Sequence, residues 1–456
     1  MSSADVAVIG AGPYGLSISA HLAKLGLSVR TFGIPMESWR GNMPAGMFLK
    51  SEGFASNLYA PDGTFTLAEY CRIHGIEYAD IGVPVSLETF SAYGEAFQRK
   101  FVREIDNRKV RNIRGKSGAG FEIELEEGTF QRVRNVIVAV GLAHAEYVPP
   151  VFADLPAALC SHSARHRCFN DFANRNVTVI GGGASAVDCA IALRAVGANA
   201  RIVSRHELAF HSPPEVGKRS LFKRLRYPSS GLGNNWKAYF YSEFPDIFYR
   251  LPQRMRVKVA RTALGPAAGW FTKDAVVGRI EVLSGVACRR AEVREGRVLL
   301  HMESTRDGRK LLLETDFVLV ATGYAVDVTR IPFLTEVLPS VRLFEKSPVL
   351  SPNFESSLPG LFFAGISAAN SFGPVLRFAF GTRFTAERLA RRLSPVTRSG
   401  APAIAKPKLT GGSQPQAATS ASTGIPPFYF RTGFRETQSR FAPGSFASVR
   451  RHDEPK

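Results

Sequence analysis

One arrangement occurs twice in this chain, and it narrows the choice of fold more than any other feature. Residues 5–32 read DVAVIGAGPYGLSISAHLAKLGLSVRTF and residues 177–205 read VTVIGGGASAVDCAIALRAVGANARIVSR. Each is a short apolar run, a glycine cluster, a stretch of helical period and a second apolar run, which predicts strand, tight turn, helix and strand. Gly10, Gly12 and Gly15 fill the places of G-x-G-x-x-G; Gly181, Gly183 and Ala186 fill them in the repeat, which tolerates alanine in the third. The first glycine turns the chain, the second lets a pyrophosphate approach the backbone, and the third lets helix and strand pack closely. The anion then rests on the helix N-terminus, where N–H groups lack partners and the dipole is positive. Two such units predict two bound dinucleotides whose reactive ends can meet, with Pro13 and Tyr14 beside the first and Ser185 beside the second.

The second strand of such a unit usually ends in an acid for the ribose hydroxyls. Here the first unit ends in Thr31, Phe32 and Gly33, with no acid until Glu37. The phosphate cradle does not depend on that acid, because it is built from backbone. The second unit ends in Ser204, Arg205 and His206. An acid there would repel a 2′-phosphate, whereas Arg205 would pair with it, so NADPH is favoured over NADH.

Residues 37–57 are loop-like and hold Trp39 and Lys50; they either bend over the ring end of a cofactor or form an ordinary surface excursion. Helical spacing is expected over 67–74 and 93–107. Alternation at Val110, Ile113, Phe121, Ile123, Leu125, Phe130 and Val133 predicts a meander, leading into an apolar strand, 135–141, that stops at Gly141. Residues 206–276 lack this rhythm and are rich in aromatic and basic residues; such an insertion could roof a substrate pocket or serve as a packing surface. Strands return over 279–300, and FVLVATGY at 317–324 is a second buried strand ending in glycine. Residues 358–393 read as a last buried strand, a turn of small residues at Gly365 and a long amphipathic helix starting near Gly373, its N-terminus aimed beyond Gly365. Cofactor contacts are expected at Val110, Gly141, Thr322, Gly323, Tyr324 and Gly365 as well.

Composition excludes several classes. No run approaches the roughly 18–20 apolar residues of a spanning helix, and the opening MSSADVAV lacks the basic and apolar regions of a signal peptide, so a cytoplasmic protein is expected. Cys71, Cys160, Cys168, Cys189 and Cys288 are scattered and form no C-x-x-C, which argues against disulfides, a zinc site and the paired cysteines of a flavin disulfide reductase. The net charge of +19 is spread without a long basic run, so nucleic acid is not expected as a partner. From Ser394 onward the composition predicts a disordered tail, whose Phe428, Tyr429, Phe430, Phe434 and Phe441 are unusual for a linker.

Two fingerprints, the GAGPYG turn at 10–15, the Trp39 loop, SHS at 161–163 ahead of GGGASA at 181–186, ATGY at 321–324 and the GLFFAG strand together resemble the class B flavoprotein monooxygenases, which include flavin-containing monooxygenases and ornithine and lysine N-hydroxylases. The resemblance spans about 390 residues, all but the tail. It implies an α/β fold of two Rossmann-like dinucleotide-binding domains of three-layer ββα type, FAD at the first fingerprint and NADPH at the second. Domains are expected at 1–150 and 326–394 for FAD and 151–325 for NADPH, with an insertion at about 206–276 and the tail over 395–456. It further implies transfer of oxygen from O2 to an N, S or carbonyl centre of a small substrate through a C4a-(hydro)peroxyflavin. Such chemistry requires no side-chain acid or base. His162 with Ser163 is the nearest candidate for a catalytic role, with Asn370 as a further catalytic candidate, and Lys50, Asn370 and Ser371 are expected to face the flavin ring. The chain departs from the family at the missing acid and at the flavin-containing branch's F-x-G, where only Leu159, Cys160 and Ser161 precede His162. The Baeyer–Villiger signature is incomplete too. A reductase or quinone dehydrogenase without oxygen insertion, and a flavin-binding module without turnover, are the competing readings. Expected partners are a small substrate and O2, with no stable membrane insertion and self-association left open.

Overall fold

The computed structural model of the chain describes residues 4–116, 118 and 120–395, so the tail reading lies outside the described residues. The chain opens with β1 (Ala4–Ile9), α1 (Pro13–Lys24) and β2 (Val29–Phe32), followed by α2 (Glu37–Gly41), α3 (Leu67–His74) and α4 (Leu87–Phe101). Leu16, Ile18 and Leu22 on α1 are fully buried, each adding about 1.5–3 kcal/mol of apolar burial. The helix expected from 93 begins at Leu87 instead, because the Ser86 hydroxyl accepts from the Thr89 N–H at 3.0 Å and starts it two turns earlier. β3 (Ile105–Asp106) precedes the antiparallel meander β4 (Val110–Lys116), β5 (Gly120–Leu125) and β6 (Phe130–Val138). The last meander strand and the expected strand at 135 are one continuous element, β6, which pairs in parallel with β1, Val6 beside Asn135 and Ile9 beside Val138.

A second run follows: β7 (Cys160–His162), β8 (Asn176–Ile180), α5 (Ala184–Ala195) and β9 (Asn199–Ser204). The insertion folds mostly as helices: α6 (Leu221–Arg226), a small hairpin of β10 (Ser229–Ser230) and β11 (Gly233–Asn234), α7 (Trp236–Glu243), α8 (Pro245–Tyr249), α9 (Gln253–Thr262) and α10 (Lys273–Val276). After it come β12 (Glu281–Ser284), the meander β13 (Val286–Arg294), β14 (Arg297–Ser304) and β15 (Lys310–Thr315), and β16 (Phe317–Val320). The chain closes with β17 (Leu343–Phe344), β18 (Ser347–Pro348), β19 (Leu361–Phe363), α11 (Ala369–Phe372) and α12 (Thr382–Leu393).

Two large sheets result. The first runs β3-β2-β1-β6-β5-β4, with β19 also paired to β6; the second runs β12-β9-β8-β16-β7 and is parallel throughout. In each, the glycine turn leaves the carboxyl end of a central strand, where ligands of open α/β sheets bind. The long C-terminal helix begins at Thr382 rather than near Gly373. Gly373 has φ +99° and is followed by Pro374, which seeds only a four-residue 3-10 turn, so the expected helix N-terminus beyond Gly365 is not there.

Candidate active site: two nucleotide cradles

At the first turn Gly10 takes φ +115°, and a Cβ there would stand 2.4 Å from the Ala139 carbonyl oxygen. A Cβ on Gly15 would stand 1.7 Å from the Gly10 carbonyl oxygen, so α1 packs on the strand as closely as backbone allows. A Cβ on Gly12 meets nothing within 4 Å. Gly12 is also the N-cap of α1; it caps with no side chain, Pro13 follows it, and no acid lies in the first turn. Open space in front of uncapped N–H groups is what a pyrophosphate needs, so these residues fit FAD. The Thr31 hydroxyl is 2.7 Å from that of Ser19, which explains why this strand end presents no ribose ligand. An acid does stand beside it: Asp106 on β3 is in register with Phe32, and its carbonyl accepts from the Gly33 N–H at 2.9 Å. Hydrogen bonds from Arg108 hold its carboxyl below the usual range.

The second turn repeats the geometry with one difference. Gly181 has φ +150°, and a Cβ would stand 2.3 Å from the Ala321 carbonyl oxygen. Ala186 is fully buried, Ser185 sits half-buried in the first turn of α5, and Gly183 caps that helix without a side-chain bond. Yet a Cβ on Gly183 would meet Pro266 at 3.3 Å, so the turn that closes the insertion lies over this cradle where the first is open. Arg205 is exposed, and its guanidinium has no ion-pair partner among the described residues, leaving it free for a phosphate.

Three contacts tie the loop at 37–57 to the second unit. Asn42 donates to the Ala164 carbonyl at 2.9 Å, the Ala45 N–H donates to the Arg167 carbonyl at 2.9 Å, and Lys50 Nζ lies 2.6 Å from Asp188 Oδ2 on α5. Phe48 packs edge-on against Phe271, over which Lys50 also sits. Burial pushes the Asp188 carboxyl up, against the pull of Lys50. The loop is therefore a strap between the units. Trp39 packs edge-on against Phe90, on the apolar cluster beneath the strap that also holds Ala11 of the first glycine turn.

His162 is fully buried, and both its nitrogens are taken. Nδ1 accepts from the Ala164 N–H at 3.1 Å, which fixes the proton on Nε2, and Nε2 donates to the Gly323 carbonyl at 3.1 Å. Burial holds its pKa below the ordinary value. With no free nitrogen, His162 positions the turn after β16 and is not placed to handle a substrate proton; Ser163 begins the adjoining 3-10 turn and is itself buried. At that turn Gly323 has φ +82°, the Tyr147 N–H donates to its carbonyl at 3.1 Å, Thr322 donates to the Tyr147 carbonyl, and Tyr324, with its hydroxyl pushed up to about 12 by burial, stands edge-on to His162. The segments following β6 and β16 thus meet, with Gly141 at φ +59° in the first of them.

Tyr14 donates to the Phe378 carbonyl at 2.8 Å and packs under Gly365, which joins the first glycine turn to the C-terminal segment. Asn370 donates to the Ser347 hydroxyl at 2.6 Å, and the Ser371 carbonyl accepts from Arg256 at 3.1 Å. Arg256 also stacks over Tyr249 and keeps a buried Nε without a partner. The insertion therefore forms a wall on this turn, on which Arg256 is a buried cation that sequence reasoning did not single out. Val110 lies on the outermost meander strand, packed on the apolar core three strands from β1. Val110 opens β4 only four residues after Asp106, the residue in register with Phe32.

A family model described as pyridine nucleotide-disulphide oxidoreductase matches residues 7–219. No curated protein matches significantly. Among solved structures the chain is similar to the desferrioxamine-pathway cadaverine monooxygenase of Erwinia amylovora, bound to FAD, at 14% identity and TM-score 0.68, covering 89% of this chain and 100% of that one. The chain has the fold of the class B flavoprotein monooxygenases. It is likewise similar to the ornithine N-hydroxylase of Kutzneria sp. 744, with reduced FAD, NADP+ and L-ornithine, at 15% identity and TM-score 0.67, covering 86% of this chain and 99% of that one. Bacillithiol disulfide reductase from Bacillus cereus shares the fold at 19% identity and a lower TM-score of 0.57, covering 86% and 99%.

Proposed function

We propose that this chain is an FAD- and NADPH-dependent monooxygenase that transfers one oxygen atom of O2 to a nitrogen or sulfur centre of a small substrate. The observation that carries it is the pair of backbone cradles at the carboxyl ends of two sheets, strapped together by Lys50 and Asp188. Residues 1–150 and 326–394 would hold FAD through Gly10, Gly12 and Gly15. Residues 151–325 would hold NADPH through Gly181, Gly183, Ser185 and Arg205. FAD, when bound, accepts hydride and activates O2; the chain supplies position and exclusion of water. His162 holds the Gly323 turn, Tyr14 holds the Gly365 turn, and the wall of α8 and α9 closes the substrate side. The amine substrates named for the relatives, with Arg256 on the wall and without an ion-pair partner among the described residues, favour a small amine that also carries an anionic group.

The reductase reading draws on the matching family model, yet the five cysteines are all free, Cys71, Cys160 and Cys189 buried and Cys168 exposed. None is paired for disulfide exchange. Anaerobic addition of NADPH to the yellow protein separates the readings: flavin is reduced, and oxygen then consumes NADPH in step with hydroxylated product. Reduction with only peroxide formed across a panel of amines and thioethers would favour the reductase.

A further inference from the structure

The insertion presents a face that the nucleotide site does not use. On α6, Leu221, Phe222 and Leu225 share one side by helical period and are 71%, 74% and 62% exposed. Phe222 and Leu225 border a concavity of about 570 Å3 together with Tyr227 and Trp236, whose indole N–H donates to the Leu225 carbonyl at 3.0 Å. Large apolar side chains gathered in water mark a contact surface.

Cations surround this face. Residues 218–227 hold five Lys and Arg and no acid. Arg219 and Lys223 share Glu215, Arg226 lies over the Tyr227 ring, and Lys218 and Arg224 have no ion-pair partner among the described residues. We infer that this face docks on an anionic lipid surface. α6 then lies in the headgroup plane with Leu221, Phe222 and Leu225 toward the acyl chains, Trp236 and Tyr227 at the boundary, and the cations among the headgroups. A second copy of the chain fits poorly, since a two-fold contact sets the five cations against their own images. An acidic protein would answer the charge, but here apolar and basic side chains alternate along one short helix, which suits a hydrocarbon–water boundary where long cationic side chains reach back to water.

Full-length protein sedimented with vesicles tests this. Binding is expected to phosphatidylcholine vesicles containing phosphatidylserine, not to phosphatidylcholine alone, and is lost at high salt. Lys218→Gln with Arg224→Gln weakens it about thirtyfold. Phe222→Ser weakens it while leaving the salt dependence in place, and both variants keep the wild-type circular dichroism and thermal midpoint. Absence of vesicle binding, or equal binding to both vesicles, would overturn the proposal. So would a dimer in analytical ultracentrifugation that Phe222→Ser dissolves while vesicle binding is unaffected.

Discussion

Lys50 Nζ lies 2.6 Å from Asp188 Oδ2, with the lysine on the strap of the first nucleotide unit and the aspartate one turn into the helix of the second. The side chains are 18% and 8% exposed. At such burial, removing one partner strands a charge, a loss of about 3–5 kcal/mol. Lys50→Met is therefore expected to lower the urea midpoint sharply, and Asp188→Asn added to it to recover much of the loss. The pH dependence has a definite sign. Burial raises the folded pKa of Asp188, so its contribution to stability is full at low pH and is lost as pH rises through that raised value. Lys50→Met steepens this fall, and urea titrations of the variant that are flat with pH would speak against it.

His162 gives the opposite sign. Burial lowers its folded pKa below the ordinary 6.5. Stability is unaffected above 6.5 and falls as pH drops from there toward the lowered value. His162→Ala also orphans the Ala164 N–H, at about 1–3 kcal/mol, and takes one of two donors from the Gly323 carbonyl, which keeps the Tyr147 N–H. The expected result is a lower thermal midpoint, with residual activity per folded molecule largely retained. A variant of wild-type midpoint but no turnover would restore the catalytic reading.

Gly12 and Gly15 separate cofactor loss from misfolding. A Cβ at Gly12 meets nothing within 4 Å, so Gly12→Val is expected to fold but lose flavin while still binding NADPH. Gly15→Ala drives a methyl to 1.7 Å from the Gly10 carbonyl oxygen and breaks the strand–helix packing itself. Bound-flavin absorbance and circular dichroism, read together, distinguish the two outcomes.

What was legible in the sequence was local. The glycine turns could be read because each glycine answers a backbone demand within a few residues. The strap pairing could not, since Lys50 and Asp188 are 138 residues apart and only tertiary folding joins them. The place of Asp106 was hidden for the same reason: an acid stands beside Phe32 on a neighbouring strand, not in the neighbouring residue, with its carboxylate held by Arg108. For His162, residue type and position named a candidate but do not reveal that two backbone groups already occupy its ring. The helical period of the C-terminal segment was right, but the break at Gly373 and Pro374 outweighed it and moved the helix start to Thr382.

Arg205 tests the choice between nicotinamide cofactors. Its guanidinium stands exposed after β9, and a charge-assisted pair with the 2′-phosphate is worth about 2 kcal/mol. Arg205→Ala should raise KM for NADPH about thirtyfold and leave KM for NADH nearly unchanged. Equal effects on both would remove the assignment.

Oxygen insertion itself is tested most directly by turnover under isotopically labelled O2 with NADPH and a panel of small amines. The account predicts one labelled oxygen atom in the hydroxylated product for each NADPH consumed. Unlabelled or absent product, with a quinone reduced by NADPH at full rate without oxygen, would contradict it.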